Sequence, residues 1–472
     1  MAGSQRLSPF DRAYRAGVVA PAVPAAMAPA DMGRELAVRA APAEPIALRG
    51  CVLTPSGPVE DGFVVVGGGH HIEAVQAQKP QGVRVHDTDG VILPGMIDLH
   101  GHPEFNVFAA WEPPGLFTNR YVWRGSPIYQ ALVRDTQNRL LAAGLGDAQL
   151  RYAEIRALVS GVTVIQGASG RNRSTEEALV RNVDLRIFGQ HRARSMIDLP
   201  APSSRDADKL RKIVTDIGNG EVDAFYLHLA EGRADNERSQ KEFGRLVDAY
   251  QGLTHATVII HGCALTRDEL GQVKDAGAKL VWSPQSNLRL YGQTTPVADA
   301  LQLGIPVGLG ADWLPSGSTS LLAELKVADR TLARQGHPLP PRRLVEMVTS
   351  TAADIAGLAG QLGSLEAGRP ADLVVLERRR EDPYESVVAA DPSWVQLVMI
   401  DGDLAYGRED LVTDLVDPAD RGRLEQVLAW GKPMLLDTSF RALPASPQLP
   451  PTMAQLRAAL IAQYPQVGPI FA

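Results

Sequence analysis

The sequence predicts an α/β fold: a parallel β/α barrel of eight units set between two β-rich segments that join into one small domain. Three observations carry this prediction. From Val162 to Arg334, short runs of β-formers alternate with amphipathic stretches of helical period, the pattern of a parallel sheet with helical crossovers. About eight such units close into a barrel. Short β-runs punctuated by Gly, Pro and Asp precede this region and return after Gly363.

Taken in order, residues 1–44 are rich in Ala and Pro without a sustained period and read as an extended arm. Ile46–Leu53, Gly62–Val66, Ile72–Val75 and Val83–Val85 are strands of the small domain, assigned to residues 45–93 and 364–407. The barrel, residues 94–363, opens with a turn at Pro94-Gly95 and a short strand, Met96–Leu99. A loop from Phe105 to Arg124 follows, crowded with aromatic residues and lacking any period, of a kind that walls a pocket or plugs a core. Tyr129–Ala143 and Ala148–Ser160 are helical.

Further strands are expected at Val162–Gln166, Leu185–Phe188, Ala224–Leu229, Thr257–Ile260, Lys279–Trp282 and Val307–Gly310. Ala193–Ile197 is the one candidate for the remaining strand. Ser174 with Glu177 forms a capping box that opens a helix, and more helices are expected at Asp206–Ile217, Gln240–Tyr250, Arg267–Ala276, Val297–Leu303 and Leu321–Arg334. Helices at Arg342–Val348 and Ala352–Leu358 lead to a β-segment over Gly363–Val375 and a hairpin from Val395 to Tyr406. Residues 408–472 read as a helical extension, with helices at Arg421–Trp430 and Met453–Gln463.

Composition narrows the function. The chain has 472 residues, 45% hydrophobic and 21% charged, enough for a large domain with smaller ones attached. A net charge of -7 gives no broad positive field for a polyanion, so nucleic acid is not the expected partner and a small molecule is. Two isolated cysteines, Cys51 and Cys263, make no disulfide framework, which points to a cytoplasmic protein. No apolar run reaches the ~20 residues that span a bilayer, and Pro21, Pro24 and Pro29 interrupt the one mildly apolar N-terminal stretch, so neither a membrane nor a secretion signal is expected.

Catalytic groups of such barrels stand at the C-terminal ends of strands. Here those ends carry His100 and His102, His228 with Glu231, His261, and Asp312. Residues i and i+2 of a strand point to one side, so both histidines of His100-Gly101-His102 can reach one ion. Each group alone has a plain explanation as a polar strand terminus. Together they form a set of metal-binding type.

These residues sit in motifs that resemble the amidohydrolase superfamily, in the branch of cytosine, guanine and S-adenosylhomocysteine deaminases and triazine hydrolases. The motifs are Pro94-Gly95-Met96-Ile97-Asp98-Leu99-His100-Gly101-His102, His228-Leu229-Ala230-Glu231, Ile260-His261-Gly262, Ser283-Pro284-Gln285-Ser286-Asn287 and Gly310-Ala311-Asp312. The resemblance runs from about Ile46 to Gly407. It implies a distorted (β/α)8 TIM-like barrel with a small β-sandwich domain. It further implies that His100, His102, His228 and Asp312 bind one divalent metal, Zn(II) or in some relatives Fe(II), with Glu231, His261 and Asp312 as the catalytic groups. A metal lowers the pKa of its water towards ~7, and Glu231 would carry the proton from that hydroxide-forming step to a ring nitrogen or leaving amine. No lysine lies between Val162 and Phe188 to bridge a second ion, so a mononuclear site is expected.

For substrate recognition the candidates are Gln166, Trp282, Gln285, Asn287, Trp313, Arg120, Phe105 and Trp123, which lie at or just beyond strand ends where a planar ring can stack and bond. Asn287 has the alternative of fixing its own loop. The expected function is hydrolytic deamination of an amino-substituted N-heterocycle. Hydrolysis of a cyclic amide or of another ring substituent is the alternative, and a non-catalytic assembly protein on the same fold is a third reading. The two terminal extensions are expected contacts of a homo-oligomer.

Overall fold

The structure is a computed structural model that describes residues 44–67, 70–167, 178–184, 188, 192–438 and 452–471. The N-terminal arm and the helix expected from Ser174 fall outside these residues, apart from Glu44 at the arm's end. The small domain begins with β1 (Ile46–Thr54), β2 (Gly57–Val66), β3 (Ile72–Gln76) and β4 (Arg84–Pro94). The barrel follows with β5 (Met96–Asp98), β6 (Val162–Ile165), β7 (Arg181–Asn182), β8 (Ala193–Met196), β9 (Ala224–Leu229), β10 (Thr257–His261), β11 (Lys279–Trp282) and β12 (Val307–Leu309). The chain then returns through β13 (Leu373–Glu377), β14 (Val395–Ile400), β15 (Asp403–Arg408), β16 (Leu424–Ala429) and β17 (Lys432–Asp437).

Nine strands form one sheet in the order β16-β17-β15-β14-β13-β4-β1-β2-β3, so hydrogen bonding is continuous through the expected sandwich. Both faces of its centre are buried, and the residue alternation shows why. Val91 and Leu93 of β4, with Val374 and Leu376 of β13, pack into the large core shared with the barrel helices. Ile92, Leu373 and Val375 point the other way, into a core completed by Leu411, Val412 and Leu415 of the helix Glu409–Leu415.

The eight barrel strands are parallel and lie in two arcs, β5-β6-β7 and β8-β9-β10-β11-β12. One seam is closed by the site residues themselves. Leu99 N–H donates to Leu309 O at 3.2 Å, Asp312 N–H to His100 O at 2.9 Å and His102 N–H to Asp312 O at 3.0 Å. The other seam is laced by side chains, with Ser195 Oγ donating to Asp184 Oδ1 at 2.6 Å and Gln166 Nε2 to the same oxygen at 3.2 Å. Ile97, Leu99, Val164, Tyr226, Val258, Ile260 and Val281 fill the barrel interior.

Three expectations change. Residues 421–430 do not form the expected helix: only a 3-10 turn, Arg421–Arg423, is helical, and Leu424–Ala429 pairs with Lys432–Asp437 as a hairpin on the edge of the small-domain sheet. Leu424, Val427 and Leu428 mimic helical spacing, but Trp430 (φ 49°) and Gly431 (φ 77°) make the left-handed two-residue turn that closes a hairpin, and Leu428 is 71% exposed. The helix at Met453–Gln463 is present. The third barrel strand is Arg181–Asn182, and Leu185–Phe188, where the sequence places it, lies outside the described residues apart from Phe188. Its polar sequence hid it, and Arg181 explains the polarity: the buried guanidinium donates to Asp372 at 2.9 and 3.0 Å and to Asp401 at 3.2 Å, joining the barrel to the small domain. The helix expected over Tyr129–Ala143 contains a π-helical segment, Gln130–Arg134, before Asp135–Ala142. Ala193–Met196 does supply the remaining strand, paired with β9.

The C-terminal segment braces the pocket wall. Ala109 N–H donates to Tyr464 Oη at 3.1 Å, Phe108 packs edge-on against the same ring, and Tyr152 Oη donates to Gly468 O at 2.8 Å. Among the described residues no helix is long and apolar enough to cross a membrane.

Candidate metal centre

Four strand ends deliver the site, and three of them turn through left-handed backbone. Ala230 (φ 52°) precedes Glu231, His261 (φ 69°) ends β10, and Asp312 (φ 62°) follows β12. Such a conformation costs a non-glycine residue about 1–2 kcal/mol and persists only where neighbours hold it. Ala230 N–H donates to Glu242 Oε2 at 2.8 Å, and Thr295 Oγ1 donates to His261 O at 2.5 Å. The seam bonds hold Asp312.

The rings converge on His100, which is fully buried. Its centroid lies 5.0 Å from His102, 4.7 Å from His228 and 5.1 Å from His261. Asp312 Oδ1 is 3.1 Å from His100 Nε2 and 3.5 Å from His102 Nε2. Two sets of donor atoms, those of His100, His228 and His261 and those of His100, His102 and Asp312, each fall within 4.8 Å of one another. Among the described residues Nδ1 of His100 and Nδ1 of His228 have no hydrogen-bond partner, and Nε2 of His100 faces only the Asp312 carboxylate. Buried nitrogens without partners are costly, and imidazoles with one carboxylate are the donor set of zinc and of ferrous iron. The residues fit a divalent ion.

At His102, His228 and His261 electrostatics favour the same use, whereas at His100 burial is outweighed by the Asp312 carboxylate and the imidazole is raised. Burial, with the other histidines adding to it, pushes His102 down to about 3 and His228 well below the usual imidazole range, and burial lowers His261 as well. Burial works against charge on Asp312 too, but the His100 imidazole beside it prevails and holds the carboxyl well below its ordinary range. His102, His228 and His261 thus present neutral lone pairs and Asp312 an anion.

His261 has a defined tautomer. Thr295 Oγ1 spends its proton on His261 O, so it accepts from Asn287 Nδ2 at 3.4 Å. The amide oxygen of Asn287 therefore faces His261 Nδ1, at 2.9 Å, and that nitrogen must carry the hydrogen. Nε2 is left as an acceptor, 3.7 Å from Glu231 Oε2. Glu231 Oε1 accepts from Tyr291 Oη at 2.5 Å, and Tyr291 Oη accepts from Trp123 Nε1 at 2.7 Å.

A cavity of about 430 Å3 opens above these groups. His100, His102, His228, Glu231, His261 and Asp312 line its floor, with Phe105, Trp123, Tyr129 and Trp313 among its walls. Trp123 and Trp313 lie 5.4 Å apart at 32°, and Tyr129 meets Trp123 edge-on at 5.2 Å. Arg238 and Arg245 line it as well.

Of the residues expected to bind substrate, Phe105, Trp123, Trp313, Gln166 and Arg120 line the cavity, whereas Trp282, Gln285 and Asn287 do not. Trp282 is wholly buried and donates to Thr294 Oγ1 at 2.6 Å. Gln285 N–H donates to the carboxylate of Glu324. Gln166 donates to Asp184 and Ser195. Arg120 is 1% exposed, grips Glu242 at 3.0 and 3.1 Å and reaches Asp198 at 3.3 Å. Tyr291 was missed by the sequence reading, although it stands four residues after Asn287 on one face of the helix Pro284–Tyr291, a spacing that points to it.

Fold and floor together define a barrel hydrolase with a histidine-rich centre suited to a metal. The amidohydrolase family pattern matches residues 91–405, and the chain belongs to that family. A curated relative, the 5-methylthioadenosine/S-adenosylhomocysteine deaminase of Desulforudis audaxviator, is 26% identical over 410 residues, covering 78% of this chain and 93% of the relative. Among solved structures, an adenosine deaminase from Xanthomonas campestris with bound zinc superposes with a TM-score of 0.62 at 17% identity, covering 79% of this chain and 94% of that one. A mutant atrazine chlorohydrolase from Arthrobacter aurescens, complexed with zinc and atraton, gives 0.64 at 18% identity, with 89% and 99% covered.

Proposed function

We propose that this enzyme hydrolytically deaminates an amino-substituted N-heterocycle. The observation that carries the reading is the convergence of His102, His228 and Asp312 on His100, within two overlapping donor sets that also include His261, with Glu231 beside that last histidine at the floor of an aromatic-walled cavity. On this reading those first four residues hold one divalent ion, with zinc, the metal of both solved relatives, the best match. A bound divalent ion supplies Lewis acidity, which makes water a competent nucleophile near neutral pH.

The remaining work falls to the chain. Glu231 Oε2 takes the proton of the attacking water and returns it to a ring nitrogen or to the departing amine. His261 Nε2, fixed by its Asn287 bond, orients the water and the tetrahedral oxygen. Phe105, Trp123 and Trp313 stack the ring and exclude bulk water. A volume near 430 Å3 is in the range that encloses a whole small ligand, so the ring has room for a substituent, as in the nucleosides named for the curated relative.

The test is ammonia release by zinc-loaded protein from adenosine, 5-methylthioadenosine, guanine, cytosine, an aminopteridine and an amino-triazine. Release from one or more, lost in Glu231→Gln, is expected. Turnover of a cyclic amide without ammonia would replace this reading by its alternative, and full activity of Glu231→Gln would overturn the assignment of the proton carrier.

A further inference from the structure

Trp123, Tyr291 and Glu231 come from three separate elements and meet in one directed chain of hydrogen bonds. An indole N–H can only donate and a carboxylate can only accept, so the hydroxyl between them has no choice of direction. Trp123 Nε1–H gives its hydrogen to Tyr291 Oη at 2.7 Å, and Tyr291 Oη–H gives its own to Glu231 Oε1 at 2.5 Å. Tyr291 is wholly buried, and burial beside Glu231 raises its phenol well above the ordinary range, which keeps the hydroxyl a donor at every working pH. The chain starts in the cavity wall, because Trp123 lines the cavity and packs on Trp313 and Tyr129. Backbone bonds tie the same elements together: Phe117 N–H donates to Leu290 O at 2.8 Å and Arg120 N–H to Glu231 O at 3.3 Å.

We propose that Tyr291 and Trp123 are positioning residues for Glu231, fixing Oε1 so that Oε2 alone faces His261 and the reacting atoms. This rests on the reading of Glu231 as proton carrier. With Oε1 occupied, the carboxylate cannot rotate about its last torsion to present either oxygen at random, and the competent rotamer is held before substrate arrives. The chain also makes the wall that stacks the substrate ring the same structure that aims the base. A ring that displaces Trp123 disturbs Glu231, so poor fit lowers turnover as well as binding.

Two measurements test this. The first needs no substrate. In protein labelled with 15N-tryptophan, the indole resonance of Trp123, identified by its loss in Trp123→Phe, is expected to shift in Tyr291→Phe and also in Glu231→Gln, where the acceptor charge is removed. An indole resonance that ignores both substitutions overturns the relay.

The second uses whichever compound of the panel above releases ammonia. Tyr291→Phe is expected to lower kcat about 10- to 100-fold with KM within about 3-fold. In the Glu231→Gln background the same substitution should change the residual rate less than about 2-fold, because its route of action is gone. Trp123→Phe should lose kcat about 3- to 10-fold, and lose nothing more when Tyr291 is already Phe. If Tyr291→Phe does not fold, Trp123→Phe carries the test alone. Wild-type kcat in Tyr291→Phe with Glu231→Gln inactive overturns the relay and leaves the proton carrier standing. An equal loss in both backgrounds assigns Tyr291 a structural role and overturns the proposal. Full activity in Glu231→Gln overturns the reading beneath it.

Discussion

Asn287 Oδ1 accepts from His261 Nδ1–H at 2.9 Å, and that bond leaves Nε2 as the ring nitrogen that faces Glu231. Asn287 lies outside the cavity lining, so it acts through His261 and not on the substrate. Replacing it by Leu should lower kcat about 10- to 100-fold while KM stays within a few-fold, as outer partners of site histidines generally do. Steady-state kinetics check this, and a rise in KM at unchanged kcat would return Asn287 to substrate recognition.

Arg120 is expected to report on stability more than on binding. Arg120→Met leaves Glu242 buried with its carboxylate answered only by Tyr121 Oη and Ala230 N–H among the described residues. Removing one partner of a buried pair costs about 3–5 kcal/mol. Urea unfolding should show a loss of this order, partly recovered when Glu242 is also replaced by Met. Unchanged stability with a raised KM would instead make Arg120 a substrate ligand.

Metal removal gives a third expectation. Dialysis against a chelator should abolish activity and lower the thermal midpoint, since among the described residues Nδ1 of His100 and Nδ1 of His228 then keep no hydrogen-bond partner. Free zinc at about 1,000 times its Kd should restore about 4 kcal/mol. Metal analysis should find one ion per chain, and none in His228→Ala. Two ions per chain would contradict the mononuclear assignment.

Glu324 sets a pH dependence. It is fully buried, and burial pushes its carboxyl from 4.5 up to about 8, while Gln285 N–H donates to it at 3.0 Å. Below pH 4.5 the group is neutral in both folded and unfolded chains and costs nothing. Between 4.5 and about 8 the unfolded chain ionises it and the folded chain does not, so stability drains away as pH rises through that window. Glu324→Gln removes the drain. Its thermal midpoint should match the wild type near pH 4.5 and exceed it increasingly towards pH 8, and a difference independent of pH would refute the assignment.

The residues proposed for the metal site, and His261 beside them, were legible because catalytic groups of such barrels stand at strand ends, and His100, His102, His228, His261 and Asp312 occupy four of them. Residues that orient those side chains were not legible as such. Asn287 and Gln166 stand at equally exposed-looking positions in the sequence, and only packing shows that one faces His261 and the other Asp184. For Arg120, which does line the cavity, nothing local reveals its partner Glu242, which lies 122 positions away. The hairpin at Leu424–Asp437 was obscured for a different reason: three apolar residues at helical spacing outweighed the turn at Trp430-Gly431. The strand at Arg181 was obscured because its register is set by charge instead of apolar pattern.

That arginine limits how the enzyme can be cut and recombined. Its cation sits in the barrel wall, whereas Asp372 and Asp401 that hold it belong to the segment returning to the other sheet. A barrel excised at residues 94–363 would lose both counter-ions of Arg181, and one transplanted onto a foreign small domain lacking both acids would bury that charge without them. The two parts of this chain should therefore be engineered as one piece, with chimeras joined outside residues 46–437.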